Sequence, residues 1–235
     1  MHSGKISLPF IGKTLSLFAI AFTAALAHAE IVTPQRGGGQ VNASMKHLNV
    51  FFDGANVTVQ GDAIATPILR PLTPPQAFDP AQPWSVLIDK AYNYQYAWNP
   101  GGFITLPSGG AIWVERLSQD PALEVYERPS QWTTADGPTW TELFAANGDR
   151  WKWAGSMQHN AYAVLNPSQD TYTANYRVYI GDAVTGDPLA NYGSADVTLT
   201  WNASPVPEPS ILILAATGIG AAALLLRGRR TKAAV

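Results

Sequence analysis

Between residues 30 and 204 the chain has two histidines, His47 and His159, and it has no cysteine at all. A zinc site would therefore need both imidazoles and a carboxylate such as Asp53 or Asp62. The two histidines are far apart in sequence but can meet across strands. Period-two alternation sets His159 on the side of Met157 and Ala161, where an ordinary hydrogen-bonded histidine is the competing role. Hydrolysis would need paired carboxylates or an activated nucleophile. Glu115, Glu124 and Glu127 are the nearest acidic cluster, but with Arg116 and Arg128 among them they read as a solvated face. No Gly-x-Ser-x-Gly elbow, His-Glu-x-x-His pair or glycine-rich phosphate loop occurs. Neither an enzyme nor a cofactor is expected.

Aromatic residues are the most distinctive content, and all eight tryptophans fall between Trp84 and Trp201. Tyr92, Tyr94, Tyr96 and Trp98 are in phase along one strand, as are Trp151 and Trp153 along another. Planar rings in a row on a sheet can stack on sugar faces. Tyr94, Tyr96, Trp98, Trp151 and Trp153 are thus candidates for a glycan platform. The alternative is that these rings form the core of a sandwich poor in Leu and Ile.

The elements that must position these groups read as strands. Lys46 to Phe52, the turn Asp53-Gly-Ala-Asn56, and Val57 to Gln60 make a hairpin. Further strands are expected at 84–88, 92–98, 111–117, 123–126, 150–153, 157–165, 172–180 and 195–201, with one helical turn at 140–146. Clusters such as Asn99-Pro-Gly-Gly102 and Thr185-Gly-Asp-Pro188 punctuate them, which is the spacing of an antiparallel β-sandwich. Tyr172, Ala174, Tyr176 and Val178 share one face of their strand. Val197, Leu199 and Trp201 do the same on the last one. The segment 182–194 is too long for a tight turn and reads as a wide loop.

The ends differ from this body. Residues 1–29 combine Lys5 and Lys13, a twelve-residue apolar run and Ala27-His28-Ala29, the pattern of a cleaved signal peptide. Residues 30–45, with Gly37-Gly38-Gly39, read as a flexible lead and 46–203 as the all-β ectodomain. The segment 204–235 opens on Pro205, Pro207 and Pro209, continues as an apolar transmembrane helix over 210–226 and ends in a basic tail at 227–235. Arg227, Arg229 and Arg230 keep that tail on the cytoplasmic side. The body between holds nine Lys or Arg against sixteen Asp or Glu, a net charge of −7, which argues against a nucleic-acid surface.

Val206-Pro207-Glu208-Pro209, the apolar segment and Arg227-Gly-Arg-Arg230, in that order, closely resemble the PEP-CTERM sorting signal of bacterial envelope proteins. The resemblance implies a Gram-negative cell and an exosortase that recognises Pro-Glu-Pro and removes the membrane anchor. A second resemblance rests on His47-Leu-Asn, Ile112-Trp-Val, His159-Asn-Ala-Tyr and the strand from Tyr172. These look like the choice-of-anchor surface domains, β-sandwiches of which some sit beside metal-uptake genes. Where that class typically carries His-x-His, Met157 takes the first position and only His159 remains. The expectation is an exported protein at the cell surface or in the extracellular matrix, structural or adhesive. Its partners are the exosortase, the membrane during sorting and an exopolysaccharide. A carbohydrate-binding module and a metal-associated surface protein are the alternatives.

Overall fold

In a computed structural model the described residues are 28–129 and 137–203. Fourteen strands occur among them. They are β1 (Glu30–Ile31), β2 (Lys46–Phe52), β3 (Val57–Gly61), β4 (Ile68–Leu69), β5 (Gln76–Ala77), β6 (Lys90–Asn93) and β7 (Tyr96–Pro100), followed by β8 (Gly110–Gln119), β9 (Leu123–Glu127), β10 (Thr141–Glu142), β11 (Arg150–Trp153), β12 (Gln158–Leu165), β13 (Thr171–Asp182) and β14 (Ala195–Ala203). The body is all-β, and its longer strands form where side chains alternate. Over residues 171–178 of β13 the buried positions are Tyr172, Ala174, Tyr176 and Val178, and β14 buries Leu199 and Trp201 on the same side.

Two sheets carry the architecture. One runs β10-β9-β12-β7-β2-β3, with β6 also paired to β12, and the other runs β11-β8-β13-β14-β4. Their facing rings interlock. Trp201 of the five-stranded sheet meets Tyr162 at 4.3 Å and Tyr96 at 5.2 Å between ring centres, and Tyr176 meets Trp98 at 6.0 Å. Trp151 lies 6.5 Å from Trp98. A second cluster, with Phe78, Trp84, Leu87, Tyr92, Tyr94 and Trp140, lies apart from this inter-sheet core.

The pairing is mostly antiparallel but not wholly so. β2–β7, β14–β4 and β1–β5 are parallel. Each of these pairs joins strands separated by long connections, the circumstance in which parallel pairing is possible.

Three local expectations are corrected. Residues 84–88 form a 3-10 turn at Ser85–Leu87 instead of a strand, closed by Leu87 N–H donating to Trp84 and Ile88 N–H to Ser85. Its buried residues Trp84 and Leu87 are three apart, so they fall on one side of a 3-10 helix. No helical turn forms at 140–146. Instead Thr141 and Glu142 pair with Glu127 and Tyr126, sending Trp140 and Phe144 into different cores.

The lead 30–45 is also not loose. β1 pairs with β5, and Tyr94 N–H donates to the Arg36 carbonyl at 3.0 Å. Gly38 and Gly39 have φ of +76° and +55°, and a Cβ on Gly38 would stand 1.9 Å from the Tyr92 carbonyl oxygen. The glycines are there because the chain turns left-handed against its neighbour, a conformation they adopt without steric cost.

Candidate functional site

The expected aromatic row is broken in its middle. Asn93 opposes Tyr162 while Ala97 opposes His159, so four steps on the β6–β7 side meet three on β12. The extra residue is accommodated at 94–95, where Asn93 Oδ1 accepts from the Gln95 N–H at 2.8 Å and Lys46 N–H donates to the Gln95 carbonyl. Because strand side chains alternate, one added residue reverses the facing of everything beyond it. Tyr92 and Tyr94 therefore enter the second cluster, whereas Tyr96 and Trp98 enter the inter-sheet core.

None of the five platform candidates is available to a sugar. Tyr94, Tyr96, Trp98, Trp151 and Trp153 are all at most 8% exposed. Trp98 meets Trp151 at 58° and Tyr176 at 84°, the tilted and edge-on contacts of packed rings. The glycan platform is thus corrected to core. Trp153 donates its indole N–H to the Ser156 carbonyl, and Trp151 donates to Glu127, so both rings are also fixed by hydrogen bonds.

The histidines come to one face without making one site. His47 and His159 both lie in register with Ala97, one on each side of β7. Two strand spacings of about 4.8 Å keep their backbones roughly 10 Å apart. Asp62 Oδ2 takes both the His47 backbone N–H, at 2.9 Å, and its Nδ1, at 2.7 Å, and Asn49 donates to the other carboxylate oxygen. The His47 N–H, more than any other contact, holds the Asp62 carboxyl below its usual range.

His159 Nδ1 donates to the Tyr94 carbonyl at 2.8 Å. Burial pushes its pKa down to about 4, with Arg128 and Arg36 adding to the effect. The positive charge of those two guanidinium groups opposes a metal cation at this ring, whose Nδ1 is already committed to the Tyr94 carbonyl. Among the described residues no three His, Asp or Glu side chains gather as ligands, and Asp53 instead caps the Ala55 and Asn56 amides of the hairpin turn. The metal candidates are thereby corrected to structural histidines.

The acidic cluster separates as well. Glu115 is opposite Arg177 and Arg150 on the five-stranded sheet, whereas Glu124 and Glu127 are on β9 of the other. Glu124 binds Lys90 and the Tyr126 hydroxyl. Arg116 is buried, contrary to its expected solvated position, because it falls in phase with the buried Ile112 and Val114 of β8, and there it donates to the Phe144 carbonyl.

Sequence reasoning missed a cleft of about 530 Å³ between the loop 101–109 and the end of β11. Phe103, Ile104, Leu106, Ile112 and Trp153 line it together with Lys152. Its signal was the run Phe103-Ile-Thr-Leu106 set between the glycine pairs 101–102 and 109–110, an apolar stretch in a place where turn residues promise solvent. Phe103 is 96% exposed.

The sorting residues Val206, Pro207, Glu208 and Pro209, the 210–226 segment, Arg227, Arg229 and Arg230, and all but the last two residues of the signal peptide lie outside the described residues. Among the described residues no helix is long and apolar enough to cross a membrane. Compared with known protein families, curated proteins and solved structures, the chain matches none.

Proposed function

We propose that the chain is an exported bacterial envelope protein, sorted by an exosortase through Val206–Pro209, whose β-sandwich body has a structural or adhesive role at the surface or in its polysaccharide matrix. On this reading residues 1–29 direct export, the 210–226 segment holds the precursor in the inner membrane, and Arg227, Arg229 and Arg230 anchor the inner side. The observation that carries it is the join between body and signal. β14 is paired through Asn202 to Thr171 and through Ala203 to Leu69, and the Pro-Glu-Pro stretch begins four residues later, at Pro207.

Such a join suits a tethered domain. A pull on residue 204 acts along β14, whose eight pairs with β13 would have to shear together. The body stays folded up to its tether without a disulfide, because its terminal strand is flanked on both sides. With the aromatic rows buried and the two histidines apart, no observation favours the glycan-platform or metal reading over this one.

The test is Glu208→Ala in an exosortase-bearing Gram-negative host, followed by immunoblotting of cell and medium fractions. The variant should accumulate as a longer, cell-associated species. Processing that goes on unchanged would overturn the exosortase assignment.

A further inference from the structure

The cleft beside β11 opens at the end of the fold away from Ala203, since Asn202 pairs with the first residue of β13 and the cleft borders its last. Its volume of about 530 Å³ lies within the range of small-molecule sites. More of the wall is apolar than polar, and apolar surface continues past the mouth, where Val184, next to the lining residue Ala183, is 89% exposed.

Against these walls stands one ionisable lining residue, Lys152, with no acidic side chain among the lining residues. Its Nζ donates to the Ala183 carbonyl at 2.7 Å, which uses one of three N–H groups. Lys152 acts on the Asp182 carboxylate, which is already engaged through Oδ1 with the amides of Val184 and Thr185 at 2.8 Å. A neutral apolar guest would displace water from the ammonium and give nothing back, and a cation would be repelled. An anion replaces the lost water with a charge-assisted hydrogen bond.

We infer that this cleft binds an amphiphilic monoanion, a compact apolar group bearing a single carboxylate, with the carboxylate on Lys152 and the apolar part against Phe103, Ile104 and Leu106. The inference goes beyond the sorting proposal and stands or falls separately, because it concerns only the folded body.

Saturation-transfer NMR on the full-length protein in a non-ionic detergent tests it, with 4-phenylbutyrate, 4-phenylbutanol and 4-phenylbutylamine as probes of one shape and three charges. Phenylbutyrate should bind most tightly. Lys152→Gln should weaken it roughly fivefold, the scale of an exposed ion pair, to the level of the alcohol. Lys152→Glu should reverse the order of acid and amine, and Phe103→Ala should weaken all three together. Lys152 and Phe103 are exposed, so these variants leave the fold intact. Equal binding of the three probes, phenylbutyrate binding unchanged in Lys152→Gln, or no signal above detergent alone would each overturn the assignment.

Discussion

The inter-sheet core and the second core use the same residue types but close in different ways. Between the sheets, Trp98, Tyr162, Tyr176 and Trp201 come from strands on both sides, and ring meets ring. In the second core Tyr92 and Tyr94 stand nearly parallel, 6.5 Å apart, and their hydroxyls reach backbone of the lead. Tyr92 donates to the Gly39 carbonyl at 2.6 Å and accepts from the Gln35 N–H, and Tyr94 donates to the Pro34 carbonyl at 2.8 Å. One core is closed by a facing sheet and the other by a strap of irregular chain. Tyr176 meets only side chains in the first, whereas Tyr92 and Tyr94 clasp the backbone of the lead in the second, so the two should respond differently to the loss of volume, proton, backbone freedom or hydroxyl.

Volume should matter most between the sheets. Trp98→Ala empties a site 1% exposed that touches both Trp151 and Tyr176, and urea unfolding should show a loss of about 3–5 kcal/mol. A loss below about 1 kcal/mol would mean that the facing sheets do not grip each other here.

Protons should matter more beside the second core. His159, against Tyr94, is held neutral with a pKa of about 4, against 6.5 when unfolded. The unfolded chain therefore takes up the proton first. Stability is unaffected above pH 6.5 and falls as pH drops from 6.5 to 4, by about 3 kcal/mol in all if nothing else titrates. The lowered carboxyls of Asp53, Asp62 and Asp182 also withdraw stability as pH falls, but from below their ordinary value of 3.8, so the windows separate. Urea midpoints at pH 7 and 4.5 check this. Equal values would show that the imidazole is protonated without cost in the fold.

The same contrast explains what the sequence revealed. β11, β13 and β14 were legible because burial alternates along them, as in Arg150–Trp153, where only the tryptophans are buried. The hairpin at 53–56 was legible because Asp53 and Gly54 supply the carboxylate and the φ of +95° that the turn uses. The second core was not, since nothing in the periodicity of Tyr92 to Trp98 shows where the row changes face. Its one local sign was Asn93, whose side chain bonds two residues ahead and interrupts the strand. Glycine in the lead suggests freedom by composition but marks close approach in the fold, and only tertiary contact distinguishes these. The cleft depends on loops that no repeat describes.

Backbone freedom gives the next effect. Gly38→Ala puts a Cβ against the Tyr92 carbonyl in a left-handed residue, costing roughly 2–3 kcal/mol. The strap should loosen while the sheets hold. Hydrogen exchange should quicken at residues 30–45 and at Tyr94, whose N–H is bonded to Arg36, and stay slow along β13 and β14. Equal acceleration in all of these would make the two cores one cooperative unit.

The smallest effect is the most discriminating. Tyr92→Phe leaves the Gln35 N–H without its acceptor and the Gly39 carbonyl with the Gln40 side-chain amide alone, so about 1–2 kcal/mol should be lost. Tyr176→Phe removes a hydroxyl that is also fully buried but that serves only side chains, Tyr162 and, at 3.4 Å, Gln119 Oε1, and no backbone group. Burial already holds the Tyr176 proton in place, with a pKa raised well above 10, so no ionised form is lost on substitution. The ring stays and its packing against Trp98 and Phe144 is kept, so the change should be about 0.5–1 kcal/mol, less than for Tyr92→Phe. If both variants lose the same amount, the clasp has no special role and the second core is held by its apolar contacts, as the first is.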